Sequence, residues 1–225
     1  MATSRPNTST SKTASAKVDP KKDSKLAERL TQDNGRPFEV DGLPKLIFLK
    51  PEVALKEAHL KPGNVVADLG CGGGYLTIPA ALQVGSQGMV YAVDILKDNL
   101  ASIRSQAKLY NLPNIQTIWA DLEVAGSTGI RDKATDVTLL FKVLCQQKNH
   151  EAIFKEAVRV TKPSGLVMVA EWCEANTPST MVGPTKENLV TRQQLLDLGK
   201  SVGLQLEREH KLDDFHYVLE YRRPT

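Results

Sequence analysis

Short apolar runs alternate with longer stretches of helical periodicity from Val65 onward. This alternation is typical of repeated βα units wound around a parallel sheet. The runs are rich in β-branched residues and are apolar at both odd and even positions, as expected for strands that are covered on both faces. Five parallel strands are therefore predicted, at residues 65–69, 89–93, 115–119, 137–141 and 166–170.

Two alternating runs close the chain, at residues 204–209 and 215–222, and a short polar turn with Asp213 and Asp214 separates them. This arrangement is typical of an antiparallel hairpin. Together with the five parallel strands, the hairpin predicts an α/β fold, in which a doubly wound, mostly parallel sheet of seven strands carries helices on both faces.

Local signals predict the ends of the last two helices. Asn149 is the predicted N-cap of the helix after the fourth strand. That helix must stop near Lys162, because Pro163 disfavours helical geometry in the residue before it. Thr191 and Gln194 have the spacing of a capping box, and Gly203 offers a left-handed stop to the helix that they begin.

The first 50 residues differ from the rest of the chain. Residues 1–26 are rich in Ser, Thr and Lys, with six basic residues against two acidic ones, and nearly lack large apolar side chains. Such a segment cannot offset the entropy of ordering, so a disordered basic tail is predicted. Residues 27–50 contain several large apolar side chains and are predicted to form a lid or pre-domain segment. Residues 51–225 then form a single domain.

Composition narrows the range of functions. The formal net charge is +3, and the basic tail accounts for it, so the body of the chain is near neutral. A near-neutral body lacks the basic field with which nucleic-acid binders neutralise phosphates. No apolar run reaches the roughly 18 residues that a membrane span requires. Three cysteines cannot all pair with one another, which favours reduced thiols and a cytoplasmic location.

A glycine-rich run follows the first predicted strand directly and precedes a helical stretch. It reads Asp68-Leu69-Gly70-Cys71-Gly72-Gly73-Gly74-Tyr75. Glycines at this position let the backbone turn sharply and approach a ligand at the carboxyl ends of the strands, where doubly wound sheets bind nucleotides. A nicotinamide cofactor is disfavoured, because Tyr75 stands where the dinucleotide fingerprint requires its third glycine.

Two further acidic residues follow the next two predicted strands. Asp94 ends the second strand about 20 residues beyond the glycines, which is the distance at which an acid that recognises ribose is expected. Its carboxylate can accept the protons of both ribose hydroxyls. Asp121 follows the third strand in Trp119-Ala120-Asp121-Leu122. Either residue alone would suit a helix cap, but their common register with Asp68 favours one shared ligand site.

The pattern Asp68-x-Gly70-x-Gly72-x-Gly74 resembles motif I of the class I S-adenosylmethionine (SAM)-dependent methyltransferases. The resemblance implies that the glycine loop surrounds the methionine end of SAM, with Asp68 helping to hold its ammonium group. It also implies that Asp94 binds the ribose, that Asp121 receives the adenine amino group, and that S-adenosylhomocysteine is the product. The implied cofactor-binding residues are Asp68, Gly70, Cys71, Gly72, Gly74, Tyr75, Asp94, Ile95, Asp121, Leu122 and Phe141.

The carboxyl-terminal part is similar to one branch of that family, the small-molecule methyltransferases of quinone biosynthesis and arsenite methylation. The similarity lies in Glu171-Trp172, Val182-Gly183-Pro184-Thr185 and His216-Tyr217. It implies a small-molecule acceptor, which attacks the sulfonium methyl group in line while the protein supplies alignment and excludes water. The sequence predicts neither a metal site nor a number of subunits.

Four residues are candidates for the acceptor side. Glu171 ends the fifth strand and is a possible base or orienting group, although a structural salt bridge suits it equally. His216 is the histidine nearest to a possible pocket. Cys145 and Cys173, with Cys71, follow strand ends and could hold a thiophilic substrate such as trivalent arsenic; burial as small apolar residues is the simpler interpretation.

Two alternative functions remain open. An RNA or protein methyltransferase could use the basic tail to attract phosphate. Against this, the chain after the fourth strand reads Phe141-Lys142-Val143-Leu144, which lacks the Asn-Pro-Pro-Tyr type of motif found in enzymes that methylate amino groups of nucleic acids. A noncatalytic scaffold that keeps the fold is the second alternative.

Overall fold

The computed structural model describes residues 51–174 and 183–225. The predicted basic tail (1–26), the predicted lid segment (27–50) and Val182 lie outside the described residues. Within the two described ranges, no helix is both long enough and apolar enough to cross a membrane.

Seven strands form one sheet in the order β3-β2-β1-β4-β5-β7-β6. The first five strands pair in parallel, and β7 runs antiparallel to both of its neighbours, β5 and β6. This confirms the predicted fold. The strands are β1 (Val65–Leu69), β2 (Met89–Asp94), β3 (Ile115–Trp119), β4 (Thr135–Phe141), β5 (Thr161–Trp172), β6 (Gln205–Lys211) and β7 (His216–Arg222). From β1 the chain adds β2 and β3 on one side of the sheet, and from β4 onward it adds strands on the other side. This change of direction opens a crevice between β1 and β4, at the carboxyl ends of the strands, where doubly wound sheets bind ligands.

Helices cover both faces of the sheet. They are α1 (Pro51–Glu57), α2 (Thr77–Val84), α3 (Lys97–Leu109), α4 (His150–Val160) and α5 (Arg192–Ser201). On one face, α4 and α5 bury Phe154 and Leu195 in a core cluster with Leu69 and Leu219. On the other face, α1 and α2 contribute to a second cluster, which contains Met168. Along the central strands, successive apolar side chains thus pack alternately into the cluster on one face and the cluster on the other.

The predicted helix ends are confirmed at α5 and at the start of α4. The Asn149 side chain accepts a hydrogen bond from the Ala152 N–H, Thr191 and Gln194 form the complete capping box, and Gly203 has φ +81°. The other end of α4 was predicted too late, because the helix stops at Val160. There Thr161 turns to an extended backbone (φ −76°, ψ 137°) and begins β5, so the helix ends before Pro163 is reached.

The carboxyl-terminal hairpin places its two strands in different environments. β7 lies between β5 and β6, and every residue from His216 to Tyr221 is buried. β6 is an edge strand with the sequence QLEREHK, and all of its residues except His210 are exposed. The buried strand carries one carboxylate, Glu220, which is 1% exposed.

Candidate functional site

The glycine loop after β1 is held close to the ends of β2 and β4. The N–H groups of Gly70 and Cys71 both donate to the Val93 carbonyl, at 2.8 and 2.9 Å. Gly70 has φ +79°, and a Cβ atom built on it would lie 2.3 Å from Val143 Cγ2. Only glycine fits there, because the backbone is left-handed and packs directly against the segment that follows β4.

Asp94 joins the end of β2 to the glycine loop. One carboxylate oxygen accepts a hydrogen bond from the Gly72 N–H and the other accepts from the Leu96 N–H, both at 2.8 Å. The residue as a whole is 8% exposed. Each oxygen keeps a second lone pair, so the carboxylate can still accept hydrogen bonds from a ligand.

A cavity of about 240 Å³ lies at the carboxyl ends of β1, β2, β3 and β4. Six of the predicted cofactor residues line it together: Gly70, Gly72, Asp94, Ile95, Asp121 and Leu122. Six lining residues were not predicted: Leu96, Asn99, Ala120, Val143, Gln146 and Gln147. Three of these, Leu96, Ala120 and Val143, lie within two residues of a strand end, and that position was the one signal that could have identified them.

Asp121 is fixed by the turn that follows β3. Its carboxylate accepts a hydrogen bond of 2.9 Å from the Glu123 N–H, and its carbonyl accepts one from the Ser127 hydroxyl. The Glu123 carboxylate in turn accepts from the Lys148 N–H at 2.6 Å, which ties this turn to the segment before α4. Asp121 therefore lies in the cavity wall on a loop that hydrogen bonds hold in place.

Asp68 is placed differently from the other two acids. It is 2% exposed and is not among the residues that line the 240 Å³ cavity. Its carboxylate accepts a hydrogen bond of 2.6 Å from the Thr77 hydroxyl at the start of α2. Burial raises the pKa of Asp68 to about 6; the Thr77 hydrogen bond opposes this rise and the charge of Asp94 adds to it. The hydrogen bond to the Asp68 side chain thus links the end of β1 to the start of α2.

The remaining predicted cofactor residues lie elsewhere. Gly74 and Tyr75 line a larger, mostly apolar cavity of about 650 Å³ among α1, α2 and α3. Cys71 is buried against Ala92 and α3, and Phe141 packs against the core cluster that includes α1 and α2. The larger cavity lies among helices and contains none of the three acids, so the smaller one is the better candidate for the ligand site.

Glu171 is the one carboxylate among the acceptor-side candidates, and it is deeply buried. It is 1% exposed, and its carboxylate accepts a hydrogen bond of 3.0 Å from the Leu144 N–H. Burial raises its pKa to about 7, against the opposing effects of nearby backbone N–H groups and of the Lys142 ammonium group. The protonation state of Glu171 therefore changes close to neutral pH.

We expect this buried carboxyl to lower the stability of the protein at high pH. A carboxyl with a raised pKa binds its proton more tightly in the folded chain, so its stabilising contribution is complete below about pH 4.5 and is lost as the pH rises through about 7. Glu171→Gln should remove this loss. The free energy of unfolding of the variant relative to wild type should rise by up to about 3 kcal/mol between pH 4.5 and pH 8. Urea unfolding of both proteins measures it; a constant difference across that range would contradict the assignment.

His216 begins β7 opposite Trp172, at the same edge of the sheet as the acids. Its Nδ1 lies 2.9 Å from both carboxylate oxygens of Asp213, and its ring centre lies 4.3 Å from that of Trp172. Burial lowers the pKa of His216, while Asp213 opposes that shift. Among the described residues, nothing forms a hydrogen bond with the buried Nε2. The geometry is that of a neutral imidazole whose orientation is fixed by Asp213.

The three cysteines are separated by the fold. Cys71 packs with Ala92 and α3, Cys145 follows β4, and Cys173 packs against the core cluster on the other face, beside α4 and α5. Burial raises the pKa of Cys145 to about 12, and it also raises the pKa values of Cys71 and Cys173. Because Cys71 and Cys173 pack in different clusters, the fold does not support a thiol site shared by all three.

Comparison with known proteins agrees with this geometry. A family model described as a methyltransferase domain matches residues 60–221. The arsenite methyltransferase of Halobacterium salinarum is 25% identical over 114 residues, which cover 51% of this chain and 28% of that protein. The ubiquinone/menaquinone biosynthesis C-methyltransferase UbiE of Hydrogenovibrio crunogenus is 31% identical over 126 residues, which cover 56% of this chain and 48% of that protein. The chain thus spans about half or less of the length of both relatives.

A solved structure extends the agreement to the whole fold. The crystal structure of a SAM-dependent methyltransferase from Aquifex aeolicus superposes with a TM-score of 0.68 and 21% identity, and the match covers 92% of this chain and 99% of that one. At this identity the likeness concerns the fold. The family match covers most of the chain and contains the glycine loop and all three acids. The chain therefore belongs to the methyltransferase domain family and has the fold of the class I SAM-dependent methyltransferases.

Proposed function

We propose that this protein binds SAM in the 240 Å³ cavity and directs its methyl group to a small-molecule acceptor. One observation carries the proposal: Gly70, Gly72, Asp94 and Asp121, which come from the ends of three successive strands, line one cavity at the switch point of the sheet. The relatives named for arsenite and quinone substrates support the small-molecule class. The free thiols of Cys71 and Cys145 support a cytoplasmic location.

The residues at this cavity fit the parts of SAM. The Asp94 carboxylate has lone pairs for the two ribose hydroxyls, and the Asp121 carboxylate has them for the adenine amino group. Gly70 and Gly72 leave the loop backbone open to the methionine portion. When bound, SAM supplies an electrophilic sulfonium methyl group, and S-adenosylhomocysteine is the leaving group. The chain contributes orientation and exclusion of water, which can account for about 7 to 11 kcal/mol of a reaction barrier.

On the acceptor side, we propose His216 as the group that receives a proton when the acceptor nucleophile carries one. Asp213 holds Nδ1, which leaves Nε2 with its lone pair at the carboxyl edge of the sheet. Its lowered pKa keeps the imidazole neutral, as a proton acceptor must be. Glu171 lies on the neighbouring strand, where its hydrogen bond to Leu144 positions the segment after β4.

Calorimetric titration of the full chain tests the cofactor assignment. We expect SAM to bind with a dissociation constant in the micromolar range or below, which corresponds to a binding free energy of about −8 kcal/mol or stronger. S-adenosylhomocysteine should compete for the same site. NAD serves as the control and should produce no heat, because Tyr75 interrupts the dinucleotide fingerprint. Absence of heat with SAM would contradict the proposal and leave a noncatalytic scaffold.

A labelled-methyl screen then tests the acceptor class. The chain is incubated with methyl-labelled SAM and with separate pools of small phenols and quinols, arsenite, RNA and protein. We expect label in a small-molecule pool. Label in RNA that depends on residues 1–26 and decreases with added salt would instead favour the nucleic-acid alternative.

A further inference from the structure

Three ionisable side chains from distant parts of the sequence meet where the end of α1 approaches the hairpin of β6 and β7. Glu57 ends α1, His210 lies on β6 and Glu220 lies on β7. One ring nitrogen of His210 and one oxygen of each carboxylate all lie within 4.8 Å of one another. This cluster is separate from the 240 Å³ cavity and takes no part in the proposed methyl transfer.

The contacts within the cluster are too long for hydrogen bonds. His210 Nε2 lies 3.5 Å from a Glu57 oxygen, and His210 Nδ1 lies 3.6 Å from Glu220 Oε1. Within the described ranges, neither His210 Nε2 nor Glu220 Oε1 has a hydrogen-bond partner, and both atoms are buried. A buried polar atom without a partner is costly, so these two atoms leave bonding capacity for a ligand at the cluster.

The charged side chains around the cluster leave it with a net negative charge, which suits a cation. The Arg208 guanidinium lies 3.2 Å from Glu220 Oε2, so it neutralises one oxygen and leaves Oε1 directed at the cluster. Arg208 also approaches the His59 ring at 2.5 Å. With a neutral imidazole, the two carboxylates and Arg208 sum to one negative charge. The side chains of His210 and Glu57 are 29% and 24% exposed, so an ion can enter from solvent.

The spacing suits a small transition-metal ion. Zn²⁺ binds imidazole nitrogen and carboxylate oxygen at about 2.0–2.2 Å, which separates two tetrahedral ligands by about 3.4 Å. The distance of 3.5 Å between His210 Nε2 and the Glu57 oxygen matches this separation. Glu220 Oε1 lies 3.6 Å from the other ring nitrogen, so a side chain must turn for one ion to contact all three residues. We propose that Glu57, His210 and Glu220 form a binding site for a divalent transition metal such as Zn²⁺, with water as the fourth ligand. Such an ion ties α1 to the carboxyl-terminal hairpin.

Cobalt(II) tests this site directly, because it replaces Zn²⁺ and absorbs visible light when its coordination is tetrahedral. We expect Co²⁺, added to the metal-free full chain, to give a visible d–d band that saturates at one ion per chain and is removed by Zn²⁺. Glu57→Gln and His210→Gln should each weaken binding by at least about ten-fold. Glu52→Gln is the matched control, since this glutamate lies in the first turn of the same helix.

Two outcomes would overturn the proposal. The first is the absence of any band in the wild-type chain, which would identify the cluster as an ion pair between His210 and its carboxylates. The second is a band that persists in Glu57→Gln and His210→Gln, which would place the metal elsewhere. Circular dichroism shows whether each variant is folded. Because SAM binding is measured separately by calorimetry, failure of the metal site leaves the proposed function untouched.

Discussion

Gly70→Ala should reduce the affinity for SAM by more than about 30-fold. The left-handed backbone at this position costs a residue with a side chain about 1–2 kcal/mol, and displacing a packed neighbour adds about 1–3 kcal/mol. That neighbour is Val143, whose Cγ2 and Cβ would lie 2.3 and 2.7 Å from the new methyl group. Val143 also lines the cavity, so its displacement changes the shape of the ligand site. Calorimetric titration with SAM measures the loss.

Gly73→Ala is the control for this experiment. A Cβ atom on Gly73 would have no atom within 4 Å, the backbone there is not left-handed, and the residue does not line the 240 Å³ cavity. Its affinity for SAM should stay within about two-fold of wild type. Equal affinities for the two variants would show that the contact between the loop and Val143 does not shape the site. Circular dichroism should show both variants folded.

Asp94→Asn should weaken SAM binding by about 10- to 100-fold. The carboxylate accepts hydrogen bonds from Gly72 and Leu96 through different oxygens, and an amide has a single acceptor oxygen. One backbone N–H then faces an NH₂ group, and the ribose hydroxyls lose part of their acceptor. A hydrogen bond to a charged group is worth about 1.5–3 kcal/mol, which corresponds to this range.

Asp98→Asn is the matched control for Asp94, because Asp98 is an exposed residue in the first turn of α3. The control should bind SAM about as tightly as wild type. Thermal unfolding should accompany the titration, since Asp94 also fixes the glycine loop to β2. If Asp94→Asn binds SAM as tightly as Asp98→Asn, then Asp94 does not contact the ligand and the proposed arrangement of SAM is wrong.

The fold was predictable because its central strands are buried on both faces, and such strands have a distinctive apolar pattern. The positions of Gly70, Asp94 and Asp121 followed from that pattern, since the ends of successive parallel strands meet at one edge. Val143 and Gln146 were missed, because the irregular segment after β4 has no period and no motif. The end of α4 was placed slightly too late because β5 begins at Thr161, two residues before the proline, and pairing with another strand is not visible in the local sequence.

Contacts between distant residues were the other part that the sequence could not specify. The burial of Asp68 depends on its hydrogen bond with Thr77, and nothing in the local sequence distinguishes a buried acid from one that lines a cavity. Glu57, His210 and Glu220 are separated by up to 163 positions in the numbering of the chain. Their meeting depends on how α1 packs against the hairpin, which local patterns do not encode.

The exposed strand β6 has a consequence for the behaviour of the protein in concentrated solution. The unpaired backbone groups of an edge strand can recruit a strand from another molecule and start aggregation. β6 alternates glutamate with basic residues along most of its length, and Arg192 and Arg222 pair with Glu209 and Glu207. A second strand would have to approach this row of hydrated charges, so the edge opposes sheet extension between molecules.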